Sequence, residues 1–195
     1  MRGLCAICGV RLATTRDHVP PKGIFAKPRP DNLVTVPACS ICNNDSSDID
    51  ERFLVNLGIH VSFHGGEGGR LFNERVLPTL NHNKRLAREV VEGMRKVKLE
   101  TDEGKFSGTA YEGKWDDAAH DSVIERTIRG LHYHHYGEVL GPNSEVKVHF
   151  FRELGELVEV STLWRQEEIG NGEVLYRHTR VEKGNDVKSL WLLQF

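Results

Sequence analysis

All four cysteines of this chain lie in its first 42 residues, as two pairs of equal spacing: Cys5-x2-Cys8 and Cys39-x2-Cys42. No other feature restricts the fold as strongly. A tight turn presents two thiolates on one side, and two such knuckles complete the tetrahedral four-thiolate shell of a structural zinc ion. Metal binding would offset the chain entropy of a segment too short to bury much core. A small secreted scaffold would spread more cysteines along the chain. A redox CxxC would sit in a βαβ pattern, which neither pair does. Buried free thiols or two disulfides are the other arrangements open to four cysteines. A closed four-thiolate shell leaves no ligand position for chemistry. Any chemistry therefore falls to the insert between the knuckles, residues 9–38.

Charge points to the same segment. Residues 1–45 hold six basic side chains (Arg2, Arg11, Arg16, Lys22, Lys27, Arg29) and three acidic ones (Asp17, Asp31, Asp45), a net +3. The remaining residues hold 20 basic and 25 acidic side chains, a net −5. A globally basic binder is excluded by a pI near 6.6, but a local nucleic-acid site is not. Hydrophobic residues make up 38% of the chain, enough for a packed core. No apolar run approaches the roughly 20 residues of a membrane span, and no apolar signal core precedes Cys5. These absences predict a cytoplasmic protein with no membrane partner.

The insert reads GVRLATTRDHVPPKGIFAKPRPDNLVTVPA. Residues 16–19 and 33–36 each suit a short strand, and Pro20, Pro21, Pro28, Pro30 and Asp31 place the stretch between them in a loop. Asn43 and Asn44 follow the last cysteine, where a helix would begin. The expected order is strand, loop, strand, helix.

The succession CxxC, DHVPP, DNL and CxxCN resembles the HNH endonuclease family, whose active site is a ββα-metal module. The resemblance covers the first 45–50 residues. It implies a metal-dependent nuclease acting on DNA phosphodiesters. His18 matches the family's general base, and Asp17 the first ligand of the catalytic divalent ion. Asn32 matches the central Asn, which ties down the loop between the strands and so orients the His. Asn43 matches the last motif position and would be the second metal ligand, with Asn44 as the alternative. Asn instead of His at that position points to a hard ion, Mg2+ or Mn2+. Many relatives carry a Lys three residues later, where this chain has Ser46.

These residue types suit the reaction. A neutral imidazole accepts a proton near pH 7. A dication held by a carboxylate and an amide oxygen neutralises charge developing on the phosphate and the 3′ oxygen. Lys22, Lys27 and Arg29 in the loop are natural phosphate contacts. Neighbours on a strand face opposite ways, so Asp17 and His18 can flank one phosphate only if the strand is locally distorted.

Beyond Asn44 the pattern predicts a helix with Asp48 and Glu51 as a capping box and Phe53, Leu54, Leu57 and Val61 on one face. His60 and His64 stand four apart at its end. Gly65–Gly69 reads as a flexible loop, without the Lys-Ser/Thr of a phosphate-binding loop. Residues 81–98 place Leu86, Val90, Met94 and Val97 at helical spacing with a basic flank. Residues 116–137 give a second helix, with Val123, Ile124, Ile128 and Leu131 on a stripe. It ends in His132-Tyr133-His134-His135-Tyr136, read as a half-buried packing surface rather than a ligand set. From Glu145 strands follow: Val146, Val148 and Phe150, then Val158, Val160, Thr162 and Trp164. Residues 174–181 and 187–195 complete an antiparallel sheet, with Asn171-Gly172 as a hairpin turn.

The expected architecture is α+β: a zinc-stapled ββα-metal module over residues 1–50, then an α+β domain over residues 51–195 with helices and a C-terminal antiparallel sheet. The leading function is DNA cleavage with structural Zn2+ and catalytic Mg2+ or Mn2+. The alternative is a non-catalytic zinc-ribbon module binding DNA or protein on an HNH scaffold. Three roles stay open for residues 51–195: positioning DNA, binding a partner protein, or forming a homodimer.

Overall fold

A computed structural model describes residues 3–61, 66–149, 164–183 and 186–195. The expected His64, Gly65, Phe150, Val158, Val160 and Thr162 lie outside the described residues. The fold is mixed α+β, with three small antiparallel sheets among the described residues.

The first sheet pairs β1 (Thr15–His18) with β2 (Thr35–Ala38), in the register Asp17↔Val36 and His18↔Thr35. One turn of 3-10 helix (Lys22–Ile24) interrupts the connecting loop. Helix α1 (Ser40–Asn44) follows β2 directly. It begins at Ser40, not at Asn43, because the Cys39 side chain caps it by accepting from Cys42 N–H. The chain then enters α2 (Ser47–Val61), which buries Phe53, Leu54, Val55 and Leu57. Asp48 and Asp50 occupy its first turn, where acidic groups complement the helix dipole. Asp48 lies inside the helix rather than capping it.

The glycine run is helical where described, a correction to the expected loop. Helix α3 (Gly66–Leu71) turns back on α2, continues through a π-type turn (Phe72–Val76) and enters α4 (Leu77–His82). A Cβ at Gly68 would strike the Val61 carbonyl. The glycine is there for close approach, not for mobility.

Residues 81–98 also differ from expectation. Helix α5 (Lys84–Glu92) stops at Gly93, and residues 95–100 form β3 (Arg95–Glu100), paired with β4 (Phe106–Glu112). Met94 and Val97 therefore leave the helical stripe. The long helix α6 (Asp117–Tyr136) matches expectation and buries Val123, Ile124, Ile128 and Leu131. Asp116 caps it by accepting from Ala119 N–H at 3.1 Å, and Gly137, at φ 68°, ends it. Residues 145–149 are not a strand; Val146 and Val148 instead pack as partly buried side chains on the main core. The last sheet has the order β5 (Arg165–Ile169), β6 (Val174–Lys183), β7 (Asp186–Gln194), with the expected turn at Asn171-Gly172.

One core joins all of this. Cys5, Val19, Phe25, Val36 and Cys39 from the N-terminal segment pack with Phe53 of α2, Ile128 and Leu131 of α6, and Ile169, Val174 and Tyr176 of the C-terminal sheet. Helix α6 lies close against the exit of β1. A Cβ at Gly130 would meet Val19 Cγ1 at 2.6 Å, so only glycine lets the helix approach. A smaller core of Leu54, Val55, Leu71, Val76 and Leu86 holds α2–α5 together.

Candidate functional site

The two knuckles converge. In the first, Gly9 N–H donates to Cys5 O at 2.9 Å, and Cys5 N–H to Arg11 O at 2.8 Å. The second is the β2–α1 junction, where Cys42 N–H donates to Cys39 Sγ at 3.4 Å. All four cysteines are free thiols, and their sulfurs lie within 4.8 Å of one another. Four sulfurs bound to zinc at about 2.3 Å stand about 3.8 Å apart, so this cluster can hold a zinc ion. The donor set fits it in charge as well. Arg11 Nε donates to Cys39 Sγ at 3.1 Å and Nη2 to Cys42 Sγ at 3.5 Å, supplying positive charge to a shell whose four thiolates exceed the charge of a dication. Burial raises the Cys39 thiol, but the Arg11 guanidinium and the Cys42 N–H outweigh it and bring the pKa down to about 6.

From this staple β1 runs toward His18. Its side chains alternate: Asp17 is buried and His18 is half-buried. Strand β1 pairs in register through His18, so the two residues take opposite faces rather than sharing one. Asp17 Oδ1 accepts from His18 N–H at 2.8 Å. Its other oxygen, Oδ2, is buried, accepts no hydrogen bond from the described residues and lies 3.9 Å from Arg126 Nε. The Arg126 guanidinium also bonds Asp50. Burial raises the Asp17 carboxyl above its ordinary value, and the charge of Arg126 opposes the rise. For His18, burial and then the charge of Lys22 lower the pKa below the ordinary imidazole value. Arg29 acts in the same direction.

Asn43 Nδ2 donates to Thr15 Oγ1 at 3.2 Å and to Arg16 O at 3.3 Å, which fastens α1 across β1 just before Asp17. Asn44 is exposed. Asn32 does something the family pattern did not anticipate. Its Nδ2 donates to Gly170 O at 3.1 Å and its Oδ1 accepts from Gly170 N–H at 2.9 Å. The carboxamide therefore locks the loop end to the β5–β6 turn. The loop itself is braced by Val19 N–H to Val34 O at 3.0 Å and Arg29 Nε to Lys22 O at 3.2 Å. Lys22 and Lys27 are exposed and Arg29 half-buried. Lys27 is held through its own N–H by Glu74 Oε2 at 3.2 Å.

Further from the staple, His60 Nδ1 lies 2.8 Å from Asn56 O and its ring meets Trp115 edge-on at 4.6 Å. Arg126 and Asp50 were not foreseen as neighbours of Asp17. The available signal was a cation inside the apolar stripe of α6, three residues beyond Val123. No protein-family model, no curated protein and no solved structure matches the chain. Among the described residues, no helix is long and apolar enough to cross a membrane.

Proposed function

We propose that the chain is a metal-dependent endonuclease of the HNH type, hydrolysing DNA phosphodiester bonds. The observation that carries the reading is the placement of His18. An imidazole ends β1 of a ββα unit whose helix is fastened to that strand by Asn43, beside a four-thiolate staple.

In this reading His18 accepts a proton from the attacking water. Lys22 and Arg29, whose charges act on the ring, bind the phosphate oxygens of the substrate, and Lys27 extends that contact. Asp17 and Asn43 would hold Mg2+ or Mn2+ once the end of β1 bends to bring Asp17 to the His18 face, with the ion taking the place of Arg126 at Asp17 Oδ2. The ion would supply Lewis-acid neutralisation of charge developing on the phosphate and the 3′ oxygen. Asn32 positions the loop by anchoring it to Gly170.

A second reading draws on the pairing of Asp17 with Arg126. If that carboxylate is only an internal counter-ion, the chain is a zinc-ribbon module that binds DNA or protein without cutting.

Plasmid cleavage with Mg2+, Mn2+ or Ni2+, against an EDTA control, separates the two. His18→Ala should lower the rate by roughly 10²–10⁴-fold while DNA binding persists. Asp17→Ala should also inactivate, but raised Mg2+ or Mn2+ should restore part of its rate, since the general base remains and ion concentration offsets a lost ligand. Wild-type protein no more active than His18→Ala with every ion would leave the binding module as the reading.

A further inference from the structure

A second cluster of ligand-capable side chains lies at the far end of α6. His135 from the helix, Glu167 from β5 and His178 from β6 bring one ligand-capable atom each to within 4.8 Å of one another. The strand register explains the meeting. Glu167 opposes Tyr176 and Arg165 opposes His178, so Glu167 and His178 are diagonal neighbours on one face of the β5–β6 pair. The last turn of α6 lays His135 over that face, its ring centroid 4.2 Å from that of His178.

Hydrogen bonding leaves one nitrogen open on each ring. His135 Nε2 is 2.8 Å from Tyr176 Oη, and His178 Nδ1 is 2.7 Å from Tyr136 Oη. Metal-binding histidines are commonly held this way, with the other ring nitrogen engaged to fix tautomer and orientation. The decisive atom is His178 Nε2. The residue is fully buried, and this nitrogen has no hydrogen-bond partner among the described residues. A buried polar atom left unsatisfied is costly, and an ion on Nε2 would satisfy it.

We propose that His135, Glu167 and His178 bind one transition-metal dication of the zinc class, at a site separate from the thiolate staple and from Asp17. Two imidazoles and a carboxylate are the donor set of open zinc sites, in which a fourth position is left to water or substrate. Two of the three residues, His135 and Glu167, also line a cavity of about 430 Å³ together with Arg16, Asn32, Thr35, His134 and Glu168. Arg16 is held against β2 by Thr35, through Nη2 to Thr35 O at 2.8 Å, and offers a fixed cation on the cavity wall.

Co2+ titration of the full chain, with zinc kept on the thiolates and all other metal removed by mild chelation, tests the site. The expected result is uptake of one Co2+ per chain beyond any bound at Asp17, with visible absorption bands and without sulfur-to-cobalt charge transfer. Glu167 is exposed, so Glu167→Gln should fold normally yet weaken uptake at least ~10-fold, because a neutral amide replaces the charged ligand. His178→Asn should abolish it. Asp17→Asn should leave it unchanged, which separates this site from the one proposed for DNA cleavage. The proposal is overturned if no Co2+ is bound outside the thiolates, or if uptake is lost in Asp17→Asn and kept in Glu167→Gln.

Discussion

Arg126 shows how one side chain can support a site it does not join. Its guanidinium is buried in α6 and faces two carboxylates, Asp50 of α2 and Asp17 of β1. Both carboxyls are raised by burial and pulled back by this one cation. Removing the cation leaves a buried acid, Asp17, and a half-buried one, Asp50, without their shared partner. Breaking a buried pair from one side is strongly destabilising, whereas replacing the whole set can be neutral. Arg126→Met, which keeps most of the volume, should therefore lower stability by about 3 kcal/mol, read as a shift of the urea midpoint at pH 7. Adding Asp17→Asn and Asp50→Asn should recover part of the loss. No recovery would mean that Arg126 acts through packing alone. The same residue marks a limit on what could be read in advance. The Asp17-His18 pair and the four cysteines were legible because their chemistry is local in sequence. The ion pair was not, because residues 17, 50 and 126 meet only after three elements pack.

At the scale of elements, legibility followed the strength of a single periodic signal. Helix α6 has capping Asp116, a four-residue apolar stripe and terminal Gly137, and sequence and structure agree on it. Residues 81–98 carry two signals in succession. Leu86 and Val90 are helical, but Val97 belongs to the exposed β3–β4 hairpin, and basic residues filling the gaps disguise the change of period. Gly93 marks the break, its N–H donating to Glu89 O at 3.0 Å. The C-terminal end of α6 also carries a pH response. His132 is buried; Glu138 Oε2 stands 3.9 Å from its Nε2, Ser189 Oγ 3.4 Å from its Nδ1, and Arg180 is paired with the same Glu138. Burial lowers its pKa below the ordinary 6.5, against the opposing charge of Glu138. The unfolded chain thus takes up this proton at a higher pH than the folded one. Stability from this group is fully present above pH 6.5 and is lost as pH falls through the folded value, by at most about 1.4 kcal/mol per pH unit. Urea unfolding at pH 7.5 and 5.5 should show a smaller loss for His132→Phe than for the wild type. Equal losses would remove His132 as a source of the acid response.

At the scale of the whole molecule, the two sequence segments share one core, which makes the thiolate staple a matter for the entire chain. Cys5 and Cys39 are themselves core residues, in the same cluster as Phe25, Leu131, Ile169 and Tyr176. Trp191 of β7 packs on the edge of that cluster and stacks on His178 at 4.7 Å. Asn32 adds two hydrogen bonds from the loop to the β5–β6 turn. If zinc holds the knuckles together, losing it exposes Cys5 and Cys39 and removes one wall of the core. A site of this type contributes folding free energy outright. Opening the staple, by chelation in the Glu167→Gln variant that weakens the second site or by Cys39→Ser, should therefore change more than the first 50 residues. Tryptophan emission should shift to the red, because Trp191 loses its packed surroundings, and the helical signal of α6 should fall in parallel. Zinc release and the emission shift should follow one time course if unfolding is a single cooperative event. A chain stripped of zinc that keeps its emission and its helical signal would show that α6 and the C-terminal sheet fold without the staple. That outcome would make the N-terminal segment a separable module docked on a finished domain, despite the core that joins them.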